Sequence, residues 1–217
     1  MKKSFILASG SPRRRELLSC IVPDFEIKVS DVDETPIEGT PEEICRDLSI
    51  RKGMAVFDSL DGEEKAAKVV ISSDTSVWFN GVMYNKPTCC SDAKRMLREL
   101  SGNTHEVLTG YAVITAADGA TFDNRGKAIS QIGAGADSQP NVKVNAGVVV
   151  TKVTFAKLTD EEIDEYVASK DPLDKAGAYG IQGVFRKHIE GISGNYDAVV
   201  GLPCAALYEA LKAEELL

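Results

Sequence analysis

The chain has 217 residues, 43% of them hydrophobic and 27% charged, with a formal net charge of −8. That length allows one large domain with a substantial core, and the acidic balance argues against a general nucleic-acid or anionic-membrane surface. The five cysteines (20, 45, 89, 90, 204) form no C-x-x-C pair and no Cys/His cluster, which argues against zinc and against a disulfide framework.

The start, Met-Lys-Lys-Ser, leads directly into an apolar stretch without a signal-peptide core, and no apolar run reaches transmembrane length. A cytoplasmic protein with no membrane partner is expected. Phe5 to Ala8 reads as a short strand, followed by the small-residue turn Ser9-Gly-Ser11 and a helix over about 12–21. Ser11 suits the N-cap and Pro12 the first helical position. Arg13, Arg14 and Arg15 then fall in the first turn, where the helix dipole is positive and each cation costs about 0.3–1 kcal/mol. A capping box would place Glu or Gln at position 14, and Arg stands there. An anion held by free backbone N–H groups and guanidiniums resolves the conflict; arginines snorkelling over apolar surface are the plainer alternative. The Walker pattern G-x-x-x-x-G-K-[ST] is absent.

Phe25 to Val29 alternates as a strand, and the acidic run Asp31-Val-Asp-Glu34 follows. Thr40-Pro-Glu-Glu43 is a capping box that starts a helix at 41. Its stripe uses Ile44, Leu48 and Ala55, with Lys52 on the same face, either snorkelling past the core or pointing into a cleft. Gly53 weakens this helix locally. Lys68 to Thr75 reads as a buried strand ending in polar groups, the end at which open α/β sheets gather ligands. Asn80-Gly81 marks a type I′ hairpin that returns Lys86 towards Asp74. Ala93, Met96, Leu97 and Leu100 give a helix over 92–100, and Thr104 to Ala116 a strand.

Residues 117–148 lack either period and read as an inserted surface loop with too few apolar groups to contribute much core. A strand at 148–155 follows, then a helix from the capping box Thr159-Asp-Glu-Glu162 to about Ser169. Asp171 to Gly183 is a glycine-punctuated turn, strands are expected near 184–190 and 196–200, and Pro203 opens a C-terminal helix. His105 reads as a residue hydrogen-bonded within the fold, and His188 has no assigned role.

Exposed polar groups therefore recur at element ends: the 9–15 turn, Glu34, Asp74 and Lys86, with Lys52 facing inward. Two carboxylates with several cations suit a metal–polyphosphate site. Each has a bland reading as well: Glu34 in a solvated loop, Asp74 capping a turn, Lys86 on a rim. Without a Ser–His–acid or Cys–His arrangement, attack by water is preferred to a covalent intermediate.

Leu7-Ala-Ser-Gly-Ser-Pro-Arg-Arg-Arg-Glu-Leu-Leu18, Ser73-Asp-Thr75, Asn85-Lys-Pro87, Leu100-Ser-Gly-Asn-Thr-His-Glu-Val-Leu-Thr109, Asp174-Lys-Ala-Gly-Ala-Tyr-Gly-Ile-Gln-Gly183 and Gly201-Leu-Pro203 resemble, in this order, the Maf family of nucleoside-triphosphate pyrophosphatases. The resemblance runs nearly end to end, apart from 117–148. It implies a single domain over 1–217 with an α/β fold: a mixed central sheet, flanking helices and a cleft between two lobes, similar to the inosine-triphosphate pyrophosphatases. It also implies a homodimer and hydrolysis of a nucleoside triphosphate to monophosphate and pyrophosphate with a divalent cation such as Mg or Mn. By the same resemblance Asp74 is the proton acceptor, and Arg13, Thr75 and Gln182 set base specificity. Ser9, Arg13, Arg14, Lys52 and Lys86 then take phosphate, while Glu34 and Asp74 hold metal. The Asp74-Thr75 and Gly180-Ile-Gln182-Gly183 pattern is similar to the branch acting on dTTP, UTP and modified uridine triphosphates rather than the 7-methyl-GTP branch. A non-catalytic nucleotide-binding regulator of cell division is the rival class. Ser73 and Gly53 stand where the family commonly has Ala, small changes that should be tolerated.

Overall fold

The computed structural model describes residues 3–29, 31–127 and 141–217. Among these residues, seven strands form one mixed sheet in the order β2-β1-β3-β5-β6-β7, with β4 paired to β3. The strands are β1 (Ser4–Leu7), β2 (Phe25–Ile27), β3 (Lys68–Phe79), β4 (Val82–Tyr84), β5 (Thr104–Ala116), β6 (Val142–Phe155) and β7 (Ile189–Ser193). β1 is parallel to both β2 and β3, whereas β3, β5, β6 and β7 are joined antiparallel.

The helices are α1 (Pro12–Ser19), α2 (Pro41–Asp58), α3 (Gly62–Ala67), α4 (Cys90–Leu100), α5 (Asp160–Ala168), α6 (Tyr196–Val200) and α7 (Cys204–Ala213). Alternation along β1 divides its side chains between the two faces of the sheet. Phe5 and Leu7 pack with Leu18, Leu207 and Leu211 on one side, while Ile6 and Ala8 meet Val56, Phe57 and Leu60 of the α2 region on the other. Helices thus cover both faces, which is why β1 and the start of β3 read as continuous apolar runs. A third cluster joins the far ends of β3, β5 and β6 to α4 and α5, where Phe155, Tyr166, Tyr179 and Phe185 pack as tilted and edge-on rings. The long central strands run from one lobe to the other.

One gap in the sheet sets the position of the cleft. β5 occupies one edge of β3 from Val70 to Trp78. The other edge is shared by β1, which stops opposite Ile71, and by β4, which begins opposite Val77. Residues 72–76 of β3 therefore have no strand neighbour on that side, and Asp74 lies at the middle of the gap.

Several sequence expectations need correction. Asp74 is inside a 12-residue strand, not at a strand end; the polar stretch reads as a terminus only because its partner β1 ends there. Residues 196–200 form a helix, not a strand: the Asn195 side chain accepts from the N–H of Ala198 at 2.8 Å, and this cap outweighs the β propensity of the Val pair. Residues 183–188 form a 3-10 turn, and the strand expected near 184–190 begins only at Ile189. α3 was not anticipated, although Asp61 and Glu64 form a capping box visible in the sequence.

The insert is also shorter than 117–148. β6 starts at Val142 and pairs with β5 along its whole length, so tertiary pairing overrides the weak strand signal of Asn145, Ala146 and Gly147. Residues 117–127 are not idle: the Phe122 ring packs edge-on against Phe57 at 6.4 Å, and Lys65 Nζ reaches the Gly126 carbonyl at 2.7 Å. Residues 128–140 of the expected loop lie outside the described residues.

Candidate active site

The 9–15 turn forms at the carboxyl end of β1. Ser11 caps α1, its Oγ accepting from the N–H of Arg14 at 3.5 Å, with Pro12 next in the helix. No acidic residue occupies the first turn, so the three arginines are not neutralised locally and separate. Arg15 is exposed, Arg13 lines the cleft, and Arg14 folds back beneath it. Its Nε donates to the Gly201 carbonyl at 2.8 Å, Nη1 to Ser9 Oγ at 3.3 Å and Nη2 to Thr75 Oγ1 at 3.2 Å. Burial pulls the Arg14 pKa down from its usual value, and the Asp74 carboxylate opposes that shift. Gly201 holds φ at +134°, a conformation L side chains rarely adopt, and this aims its carbonyl at Arg14.

α2 supplies Lys52. Its buried face runs through Ile44, Cys45, Leu48, Ser49, Gly53, Val56 and Phe57, while Ala55, expected on that stripe, is only partly buried. Gly53 is less a weak point than a close approach: a Cβ there would sit 2.5 Å from both Ser72 Oγ and Ile114 Cδ1. That contact sets α2 against β3 and lets Lys52 reach the gap. Lys52 Nζ lies 2.6 Å from Asp74 Oδ1 and 2.9 Å from Glu34 Oε1. It thus points into the cleft between two carboxylates, one buried and one exposed.

The cleft encloses about 800 Å³ and is lined by Ser9, Arg13, Arg14, Glu34, Lys52, Asp74, Thr75, Lys86 and Gln182 among others. Every site residue expected from the sequence therefore reaches one cavity, of a size suited to a small organic ligand. Lys86 sits exposed at its rim, delivered by the β3–β4 hairpin, whose Asn80 and Gly81 both take positive φ. Gln182 is exposed on the wall formed by the 171–183 segment.

That wall is stiffened by residues the sequence reading did not single out. Tyr166 OH donates to Asp171 Oδ2 at 2.6 Å and accepts from the N–H of Gly180 at 3.1 Å. Lys175 Nζ bridges Asp171 and Asp174 at 2.9 and 2.7 Å. Behind the wall His105 Nε2 lies 2.9 Å from Tyr179 OH, in keeping with the structural role expected of it. Cys45, also passed over, is buried under the gap, with Sγ 3.5 Å from the Asp74 carbonyl. Burial first, and Asp74 second, push its thiol up to about 12, so it is a neutral packing group rather than a nucleophile. Its position beside Ile44 on the buried stripe was the available signal.

A family profile described as Maf-like protein matches residues 4–214. The chain belongs to the Maf-like family. A relative named dTTP/UTP pyrophosphatase from Bacillus mycoides (strain KBAB4) is 43% identical over 211 residues, spanning 97% of this chain and 95% of its own length. A protein of the same name from Bacillus cytotoxicus (strain DSM 22905 / CIP 110041 / 391-98 / NVH 391-98) is 41% identical over the same coverage. The solved structure of the Staphylococcus aureus Ham1 protein aligns with a TM-score of 0.47 and 16% identity, over 98% of this Maf-like chain and 100% of that one.

The donor set of this Maf-like cleft fits a hard divalent cation shared with a polyphosphate. Glu34 and Asp74 offer carboxylate oxygens that already converge on one cation, the Lys52 ammonium. Among the described residues no group of three or more His, Cys, Asp and Glu comes together as a metal cage. One or two carboxylates completed by substrate phosphates is the usual arrangement for Mg²⁺. Also among the described residues, no helix is long and apolar enough to cross a membrane.

Proposed function

We propose that this protein hydrolyses nucleoside triphosphates at the α–β anhydride, releasing a nucleoside monophosphate and pyrophosphate, with dTTP, UTP and modified uridine triphosphates as preferred substrates. The observation that carries this reading is Asp74: a buried carboxylate in a gap of the sheet, facing a cleft that also holds Arg13, Arg14, Lys52 and Lys86. The names borne by its relatives support the substrate class.

Asp74 Oδ1 is engaged by Lys52 at 2.6 Å, which leaves Oδ2 to take the proton of the attacking water. The water oxygen bonds to phosphorus as the anhydride P–O bond breaks, and pyrophosphate leaves with the electron pair. Ser9, Arg13, Arg14, Lys52 and Lys86 bind the phosphate oxygens and stabilise the charge that shifts onto the leaving group. Glu34 and Asp74 would hold a divalent cation such as Mg²⁺ or Mn²⁺, which would supply further charge neutralisation.

Base selection falls to Arg13, Thr75 and Gln182. The Gln182 amide can both donate to and accept from the O/N–H edge of a uracil-type ring. Sites that hydrogen-bond a substrate reject analogues far better than sites that only pack on it. The reading takes residues 1–217 as one domain acting as a cytoplasmic homodimer, for which light scattering is the check. Pyrophosphate release from UTP, dTTP, ATP, GTP and 7-methyl-GTP, with Mg²⁺ and with EDTA, tests the function. UTP and dTTP should be fastest and EDTA should stop the reaction. No release from any triphosphate, or 7-methyl-GTP as the best substrate, overturns the assignment.

A further inference from the structure

Thr109 is fully buried in β5 and does not line the cleft, yet its hydroxyl ends a chain of hydrogen bonds that starts at Arg14. Thr109 Oγ1 is 2.7 Å from the Ala198 carbonyl and 3.1 Å from Thr75 Oγ1, which is in turn 3.2 Å from Arg14 Nη2. A guanidinium only donates and a carbonyl only accepts. Thr75 Oγ1 therefore accepts from both Arg14 and Thr109, and Thr109 shares its one proton between Thr75 and the Ala198 carbonyl.

The other end of the guanidinium is held as firmly, by the Gly201 carbonyl on Nε and Ser9 Oγ on Nη1. The Gly201 carbonyl also receives Ser73 Oγ at 2.9 Å. Of the five N–H groups of an arginine, three are thus committed to the protein. One remains on Nη1 and one on Nη2, the fork that grips two oxygens of one phosphate.

We propose that Thr109 is a positioning residue for phosphate recognition: acting through Thr75, it fixes the rotation of the Arg14 guanidinium so that its two uncommitted N–H groups face the triphosphate. This rests on the reading that the cleft takes a nucleoside triphosphate. Without the Thr109 hydroxyl, Thr75 Oγ1 loses the donor that fixes its position, and Nη2 loses a fixed anchor. The guanidinium plane must then be ordered at the moment of binding, which weakens affinity.

The test compares Thr109→Val, which keeps shape and removes the hydroxyl, with Thr109→Ser, which keeps the hydroxyl. KM and kcat for pyrophosphate release from UTP and ATP are measured, with the Kd for inorganic tripolyphosphate by calorimetry and the melting temperature. Loss of one positioning hydrogen bond should raise KM for both nucleotides and the tripolyphosphate Kd about five- to tenfold. The kcat should change little, as expected for lost uniform binding. Thr109→Ser should stay near the parent protein. Thr109→Ala, which cannot overfill the site, carries the same expectation should the valine variant not fold. A merely structural role would lower the melting temperature and the active fraction while leaving KM and Kd in place. That result, or a serine variant as impaired as the valine one, overturns the proposal. A parent protein that binds tripolyphosphate but releases no pyrophosphate refutes the hydrolytic reading alone, and Kd still decides on Thr109. Failure of the parent to bind tripolyphosphate overturns the positioning role too.

Discussion

Lys52 Nζ lies 2.6 Å from Asp74 Oδ1, across 22 residues of sequence and between two different layers of the fold. The ammonium comes from α2 and the carboxylate from the one stretch of β3 that lacks a neighbour on that edge. Neither group has an ordinary structural reason to be there. A buried carboxylate needs a partner for its charge, and Lys52 is that partner at Oδ1.

Asp74→Asn should therefore reduce turnover about 10²–10⁴-fold, the usual cost of losing a general base, while triphosphate binding stays largely intact. The amide keeps the shape but cannot take a proton. Steady-state pyrophosphate release alongside calorimetric UTP binding checks this. Turnover within a few-fold of the parent protein would remove Asp74 from the mechanism.

Gln182 is exposed and lines the cleft, carried by a loop held by Tyr166, Asp171 and Lys175. Gln182→Ala should narrow the preference for UTP over ATP by about tenfold or more, as expected when a hydrogen-bonding reader is lost, and should leave tripolyphosphate affinity close to the parent value. Competition assays with mixed nucleotides read the ratio directly. An unchanged preference would place base reading elsewhere.

His105 makes stability depend on pH. Its ring is fully buried, and burial holds its pKa down to about 4. Nδ1 has no hydrogen-bond partner among the described residues, so a second ring proton would be stranded. The unfolded chain titrates near 6.5, so between about 6.5 and 4 the unfolded state binds more protons and stability falls as pH falls. The full contribution is present above about pH 6.5, and its loss by pH 4 is on the order of 3 kcal/mol. Urea midpoints from pH 7.5 to 4 should fall steeply for the parent and more shallowly for His105→Asn. Equal slopes in the two proteins would contradict this account.

Gly53→Ala sets helix propensity against packing. An exposed helix would gain up to about 1 kcal/mol from the change. Here the added methyl would lie 2.5 Å from Ser72 Oγ, which itself donates to the Ser49 carbonyl at 2.6 Å, and 2.5 Å from Ile114 Cδ1. Overpacking of a buried contact typically costs about 1–3 kcal/mol, so a net loss is expected despite the small size of the substituent. A denaturation midpoint at or above the parent value would show that α2 has room to move.

What the sequence determined by itself are the features whose partners lie within about four residues. The Thr40–Glu43 and Thr159–Glu162 capping boxes, the Asn80-Gly81 turn, the apolar stripe of α4 and the misplaced cations after Ser11 all belong to this class. Their energetics are complete within one turn, so the order of residues suffices to read them. The same locality explains why Asp61–Glu64 was readable though overlooked. Motifs carried by resemblance added which residues share the cleft, but not how they meet. Only the tertiary structure decided that Arg14 turns to a carbonyl 187 residues away, that Lys52 lies between Glu34 and Asp74, and that Thr109 stands behind Thr75. It also decided that residues 142–148 extend, against their local preference. In each case the stabilising partner comes from a distant strand or helix, and its position is set by the stacking of layers, which no local period of the chain records.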